Sequence, residues 1–213
     1  MKEILCNVYQ DFHARNGKYG FVHHLSTKRV FFEKLIGTGK KVLDLGCRDG
    51  CLTSGFALGN DLTCVDVDRG ALSLCRERLS SKTVWHDLNE SLPFEGNSFD
   101  VVVLSDVLEH VPLHEQLVKE CFRVLKVEGW FCGSTPNAFY WSNRIKMLFG
   151  VDLVEFIDPT HVRHFSLDSL ARLIAKTFRN VEIVPYGHHI FSRCCPRLFA
   201  SDFFWKSQKG KEI

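Results

Sequence analysis

Three aspartates of this chain stand where three predicted β-strands end. Asp44 lies in an apolar stretch that leads into Gly46 and Gly50. Asp66 and Asp87 each follow a further apolar stretch. The carboxyl ends of parallel strands meet at one edge of a sheet, where open α/β sheets bind their ligands, and an acid after the second strand can accept hydrogen bonds from ribose hydroxyls. We therefore expect the three carboxylates to line one site, with Asp44 placed to receive an ammonium group.

The two glycines after the first strand have the spacing G-x-x-x-G, with Arg48 and Asp49 between them. Dinucleotide-binding proteins instead use G-x-G-x-x-G, which holds a pyrophosphate at a helix N-terminus. The spacing and the neighbouring carboxylate favour a zwitterionic ligand over a diphosphate. Both features argue against a nicotinamide-dependent dehydrogenase.

Apolar residues alternate between strand and helix periodicity along the chain, which predicts a parallel sheet with helices on both faces. Strands are expected near 42–45, 62–66, 83–86, 99–104 and 181–186, with another considered near 190–194. The predicted helices are Ser26–Ile36, Gly50–Leu58, Gly70–Leu79, Leu113–Leu125, Ala138–Phe149 and Ser166–Thr177. No repeat or linker divides the chain.

Composition excludes several classes of protein. The chain has 213 residues, the size of one domain, and its 27 basic against 25 acidic residues give a net charge of +2. A net charge this small gives no electrostatic argument for nucleic-acid binding. No apolar run is long enough for a membrane span, and the first residues lack the apolar core of a signal peptide. We expect a cytoplasmic protein.

The nine cysteines are predicted to be reduced, and most of them buried, because their number is odd and no C-x-x-C pair occurs. Cys194 and Cys195 are the pair that we expect to be exposed. No quartet of zinc ligands is recognised, so no metal site is predicted.

Several segments together carry a family resemblance: VLDLGCRDG, CVDVD, HDLNESLPFEGNSFDVVVLSDVLEHV and CFRVLKVEGWFCGSTPN. In order and spacing, the chain resembles the class I S-adenosylmethionine-dependent methyltransferases. Within that family, TPNAFYWSNRIKMLFG and DPTHVRHFSLDSL are similar to segments of the MetW-like group and of methyltransferases from polysaccharide pathways.

The resemblance implies one Rossmann-like, doubly wound, seven-stranded sheet, mostly parallel with an antiparallel last strand. The single methyltransferase domain would span 1–213. It would comprise an N-terminal helical cap (1–38), a cofactor-binding core (39–187) and a C-terminal strand with a basic, aromatic tail (188–213).

The resemblance also implies that the cofactor is S-adenosyl-L-methionine. The methionine part would lie at the turn after the first strand, the ribose at Asp66 and the adenine amino group at Asp87. Arg48 departs from relatives that carry a third glycine there. Its side chain must point away from the turn, or the turn must accept a non-glycine residue. The residues assigned to cofactor binding are Asp44, Gly46, Cys47, Gly50, Asp66, Val67, Asp87, Leu88 and Ser105.

His110 follows the fourth strand and is the candidate catalytic base, since histidine can accept a proton near neutral pH. Its alternative role is to begin a helix and shape the pocket, and Tyr19, Tyr140 and Asp106 are the fallback bases. The residues assigned to substrate binding are His161, Arg163, His164 and Tyr140. Arg163 could instead be a surface or ion-pair residue.

Two aromatic, basic stretches remain open. Trp141, Ile145 and Leu148 share one helical face, which could pack on the sheet edge, form a lid or touch a membrane surface. The tail Arg197–Lys211 could dock on the domain, pair a homodimer or touch lipid.

The expected function is O-methylation of a small molecule or a glycan or lipid precursor by in-line methyl transfer. The alternative is a non-catalytic, cofactor-binding partner of another biosynthetic enzyme, as in the MetW-like group.

Overall fold

The computed structural model describes residues 2–151, 158, 160–187 and 190–210. Its strands are β1 (Lys41–Leu45), β2 (Asp61–Asp66), β3 (Lys82–Trp85), β4 (Phe99–Ser105), β5 (Leu125–Pro136), β6 (Arg179–Tyr186) and β7 (Asp202–Gln208). They form one sheet in the order β3-β2-β1-β4-β5-β7-β6. The pairs among β1 to β5 are parallel, and β7 is antiparallel to both β5 and β6. The predicted fold class is confirmed.

The helices are α1 (Lys2–Arg15), α2 (Leu25–Ile36), α3 (Arg69–Leu79), α4 (His114–Val124), α5 (Trp141–Leu148), α6 (Leu167–Ala175), α7 (Phe191–Cys194) and α8 (Pro196–Phe199). Five predicted helices correspond to α2 through α6. The predicted N-cap Ser166 is confirmed: its hydroxyl accepts a hydrogen bond from the Ser169 backbone N–H, completing a capping box.

Helices cover both faces of the sheet. Leu43 and Val102 pack in one apolar cluster with residues of α4 and α6. Their neighbours Val42 and Val101 point to the other face, into a second cluster with Phe32 and Ile36 of α2. Because successive strand residues alternate between faces, the apolar runs of β1 and β4 serve two cores at once.

The predicted helix Gly50–Leu58 is wrong. In its place lies a single 3₁₀ turn, Thr53–Gly55, after a series of turns. The Arg29 guanidinium of α2 donates to the Cys51 carbonyl at 2.8 Å, and the Gly55 N–H donates to the Leu52 carbonyl instead. The contact with Arg29 thus occupies an acceptor that an α-helix would need, in a Thr-Ser-Gly segment of low helix propensity.

The strand considered near 190–194 is also wrong, because these residues form α7 and the last strand is Asp202–Gln208. Phe203, Phe204 and Trp205 are each at most 2% exposed there. Phe191, by contrast, is 58% exposed. A strand between β5 and β6 is covered on both faces of the sheet, so it needs apolar side chains on both of its faces. Only residues 202–208 provide them. The tail therefore docks on its own domain through residues 202–208.

The cysteine predictions are confirmed. All nine thiols are free, seven are buried, and Cys194 and Cys195 are exposed.

Other expectations have mixed outcomes. Helix α5 buries no residue and Leu148 is 84% exposed, so the interpretation as a helix packed on the sheet edge is not supported. Among the described residues, no helix is long and apolar enough to cross a membrane. The predicted domain boundaries stay a prediction, and residues 1, 152–157, 159, 188–189 and 211–213 lie outside the described part.

Trp205 provides a test of the docked tail. It is fully buried, and a Cβ on Gly133 of the adjacent strand would lie 2.2 Å from its ring. Trp205→Ala should lower the free energy of unfolding by about 3–5 kcal/mol, since it leaves a large cavity. Phe149→Ala, at a side chain that is 83% exposed, should change it by less than about 0.5 kcal/mol. Urea unfolding measures both, and equal effects would contradict the docking of β7.

Candidate functional site

A cavity of about 870 Å³ opens at the carboxyl edge of the sheet. Of the predicted cofactor residues, it is lined by Asp44, Gly46, Cys47, Asp66, Val67, Asp87, Leu88 and Ser105. Of the predicted acceptor-side residues, it is lined by His110, Tyr140 and His161. Gly50, Arg163 and His164 are not among its lining residues. The structure thus brings most of the predicted site into one space, and the role of each residue remains a prediction.

The turn after β1 is tight because Gly46 has a φ of 75°. A Cβ at Gly46 would lie 2.4 Å from a methyl group of Val107. Gly50 of the same turn packs closely against Cys75, because a Cβ at Gly50 would lie 2.9 Å from the Cys75 sulfur. Arg48 adopts a left-handed φ of 48°, and its guanidinium donates to the Phe21 carbonyl. The turn therefore accepts a non-glycine residue at Arg48, which also lines the cavity.

Asp44 and Asp66 are buried at the base of the cavity. Burial raises the pKa of Asp44 to about 7, against the opposing hydrogen bond from the Thr53 hydroxyl at 2.6 Å. The Asp66 carboxylate accepts the backbone N–H groups of Arg48 at 2.8 Å and Asp68 at 2.9 Å. Burial also raises the pKa of Asp66, although both backbone hydrogen bonds oppose it. Burial therefore disfavours the charged forms of these two carboxyl groups, and a bound cation would offset that cost.

The N-terminal helix closes the donor end of the cavity. His13 Nδ1 lies 2.8 Å from one carboxylate oxygen of Asp68, and the Tyr19 hydroxyl donates to the same oxygen at 3.0 Å. Burial opposes ionisation of Asp68, but these hydrogen bonds lower its pKa. Tyr9 also lines the cavity. Tyr9 and His13 were not predicted from the sequence, although their i, i+4 spacing indicates a common helix face.

On the acceptor side, His110 belongs to the 3₁₀ turn Leu108–His110 just after β4. Its ring centroid lies 4.6 Å from that of His161. Burial lowers the pKa of His110. Burial, followed by the neighbouring His110, lowers the pKa of His161 to about 4. Both imidazoles are therefore neutral near pH 7 and have a free lone pair.

Glu109 is a further member of the site that the sequence analysis missed. It is only 1% exposed, and one carboxylate oxygen accepts from the Thr135 hydroxyl at 3.1 Å. Its other oxygen is buried and has no hydrogen-bond partner among the described residues. Burial, and then the nearby Asp106, raise the pKa of Glu109 well above its ordinary value. The sequence signal for Glu109 is its place next to His110, a few residues after the end of β4.

Asp106 is not free to act as the fallback base. The fully buried Lys28 ammonium forms an ion pair with it, and the Ser134 hydroxyl donates to it at 2.8 Å. Burial opposes the effect, but Lys28 lowers the pKa of Asp106. A paired carboxylate of low pKa is a poor proton acceptor near neutral pH.

Arg163 and His164 face a separate cavity of about 50 Å³, which Glu109 and His161 also line. The predicted acceptor segment is therefore divided between two spaces, with only His161 in both. In place of a zinc quartet, the described residues contain two groups of three ligands, namely Cys47, Cys64 and Cys75, and Glu109, His110 and His161.

Comparisons with known proteins agree with this geometry. A family model described as a methyltransferase domain matches residues 43–133. The chain is 37% identical over 105 residues to a ubiquinone biosynthesis O-methyltransferase of Thiobacillus denitrificans, covering 46% of this chain and 45% of that protein. It is 33% identical over 159 residues to a probable S-adenosylmethionine-dependent methyltransferase of Mycobacterium tuberculosis, covering 73% and 54%. The matches thus span about half the length of these curated relatives.

The fold has a close counterpart among solved structures. A SAM-dependent methyltransferase from Thermotoga maritima superposes with a TM-score of 0.72, at 17% sequence identity, over 96% of this chain and 99% of that chain. At this identity the similarity concerns the fold alone.

The raised pKa of Asp44 predicts a pH dependence of stability. In the unfolded chain this carboxyl ionises near pH 4, whereas the folded protein keeps its proton up to about pH 7. The folded state binds more protons in that interval, so the Asp44 contribution to the free energy of unfolding falls as pH rises from about 4 to about 7, and is constant above. Asp44→Asn should be more stable than wild type at pH 8 by up to about 4 kcal/mol, and similar at pH 4.

Urea unfolding across this pH range measures the effect. Asp61→Asn is the matched control, because Asp61 is exposed at the opposite end of β2. Parallel profiles for wild type and Asp44→Asn would contradict the prediction.

Proposed function

We propose that this chain, which is similar in sequence and fold to class I S-adenosylmethionine-dependent methyltransferases, transfers a methyl group from S-adenosyl-L-methionine to a hydroxyl group of a small molecule or of a glycan or lipid precursor. The observation that carries the proposal is the single cavity that Asp44, Asp66 and Asp87 line together, with His110 and His161 at its other end.

The donor end of the cavity suits this cofactor. Its carboxylates favour a ligand with ammonium and sulfonium charges and disfavour the two phosphates of a dinucleotide. Gly46 leaves space where any side chain would strike Val107. Each Asp66 oxygen already accepts one backbone N–H and has a lone pair left for a ribose hydroxyl. Asp87 accepts from the Asn89 backbone and side chain, and its second oxygen is assigned to the adenine amino group.

When bound, the donor supplies a methyl group on a cationic sulfur, which departs as a neutral thioether under in-line attack. The residues of this chain must therefore hold the acceptor in line, exclude water and accept or displace its proton. We assign to Tyr140 and His161, which line the cavity, the tasks of holding the acceptor in line and excluding water. His110 is the candidate for the proton, because it is neutral and has a free lone pair.

A cytoplasmic location is part of the proposal. All nine thiols are free, and free thiols persist in reducing compartments. A homodimer and contact with a membrane surface stay predictions.

Asp66→Ala tests the donor site. Loss of hydrogen bonds to a charged acceptor should cost roughly 1.5–3 kcal/mol, or about 10- to 150-fold in affinity for S-adenosylmethionine. The matched control is Asp61→Ala on the same strand, which should bind as wild type does. Calorimetry with S-adenosylmethionine and with NAD measures both. Tight binding of NAD without binding of the methyl donor would overturn the proposal.

His110→Ala tests the acceptor side. With hydroxyl-bearing acceptors, turnover should fall about 10²- to 10⁴-fold, while donor affinity stays near that of wild type. His161→Ala should raise the Michaelis constant for the acceptor. His164→Ala should raise this constant less than the sequence alone predicts, because His164 faces the smaller cavity. Donor binding without turnover of any acceptor, together with a stable co-purifying enzyme, would instead favour the non-catalytic partner role.

A further inference from the structure

Three buried thiols converge at the turn that follows β1. Cys47 lies in that turn, Cys64 in β2 and Cys75 in α3, and their sulfur atoms lie within 4.8 Å of one another. We propose that these three sulfur atoms bind one soft, thiophilic metal ion of the class of monovalent copper. The proposal concerns the thiols alone and does not depend on the proposed methyltransferase function.

The separation of the sulfur atoms matches a trigonal ligand set. Metal–sulfur bonds of about 2.3 Å, arranged in a plane, place three sulfur atoms about 4 Å apart. The separations in this protein, all within 4.8 Å, reach that value with small side-chain rotations. Thiolates select soft ions such as monovalent copper, for which three of them are enough. A structural zinc ion takes four ligands, and no fourth Cys, His, Asp or Glu belongs to this group in the described part of the chain.

The convergence is not a general result of burying thiols. Four more cysteines of the described residues are buried, namely Cys6, Cys51, Cys121 and Cys132. None of them belongs to a group of three ligands. An apolar core therefore accommodates isolated thiols in this protein, whereas the turn, β2 and α3 each present one sulfur atom to a common point.

The surroundings of the three thiols suit a soft ion. The Ser81 hydroxyl lies 3.4 Å from the Cys64 sulfur, so it can donate a hydrogen bond to a metal-bound thiolate and orient it. Leu72 belongs to the same apolar cluster, and Leu79 and Trp85 pack against it. This apolar shell excludes water from the ion and lowers the local dielectric constant, which strengthens its attraction to the thiolates.

The ion has an entry path from the main cavity. Cys47 lines that cavity and is 7% exposed, whereas Cys64 and Cys75 are fully buried. The absence of a Cβ at Gly50 leaves space beside Cys75, because a Cβ there would lie 2.9 Å from its sulfur. As the ion binds, it replaces the thiol protons, which pass to solvent. Copper and sulfur keep their oxidation states, and the bound ion links the turn after β1 to β2 and α3.

Competition for monovalent copper tests the site. The full-length protein is first changed to Cys194→Ser/Cys195→Ser, because these adjacent exposed thiols can bind copper by themselves. This background protein, reduced and kept free of oxygen, is titrated into the coloured complex of monovalent copper with bicinchoninate. Loss of colour reports the transfer of copper, and we expect one equivalent to be transferred.

Two variants in the same background remove one ligand each. Cys64→Ser and Cys75→Ser should each weaken copper binding at least about 100-fold, since loss of a group that only orients a ligand already costs about 10- to 100-fold. The matched control is Cys132→Ser, at a buried thiol outside the group that donates to the Val102 carbonyl at 3.7 Å. A serine hydroxyl can donate there as well, so this variant should bind copper as the background protein does.

The copper site is overturned if the background protein takes no copper from bicinchoninate. It is equally overturned if Cys64→Ser and Cys75→Ser bind copper as tightly as Cys132→Ser. X-ray absorption at the copper edge of the loaded background protein needs no further variant, and so keeps the test valid should both ligand variants fail to fold. Three sulfur neighbours at about 2.3 Å would support the site, whereas fewer sulfur neighbours or nitrogen and oxygen ligands would contradict it.

Discussion

The Asp66 carboxylate is the interaction on which the donor half of the molecule depends. One of its oxygens accepts the N–H of Arg48 in the turn after β1, and the other accepts the N–H of Asp68, which caps α3. A single buried group thus ties two strand ends and a helix start together. It also fixes the left-handed conformation of Arg48. The geometry of the turn, the position of α3 and the ligand-facing edge of β2 therefore share one anchor.

Much of the fold could be predicted because local patterns and tertiary environment agree. The core strands are short apolar runs that end in acids, and α4 and α6 have regular apolar faces. The prediction failed where distant contacts decide the outcome. Arg29 of α2 takes the Cys51 carbonyl and prevents a helix after Gly50. Strand β7 follows β6 in the chain but inserts between β6 and the distant β5, and no local pattern contains that information.

The donor and acceptor halves of the site differ in the same way. Asp44, Asp66 and Asp87 are recognisable because strand ends and carboxylates recur in order along the chain. The acceptor half combines the turn after β4 with a segment some 50 residues later, as in the hydrogen bond from His110 to Thr160. Glu109 is an ordinary residue type in an unusual environment. Only the folded chain reveals that its carboxyl group is buried and that one oxygen has no hydrogen-bond partner among the described residues.

Helix α1 touches both halves of the cavity. Its His13 bonds to Asp68 at the donor end, and the Tyr9 ring lies 6.1 Å from that of His110 at the acceptor end. The N-terminal helix thus supplies one wall of the cavity above the carboxyl edge of the sheet. Displacement of this one helix would therefore uncover the donor end and the acceptor end of the cavity together.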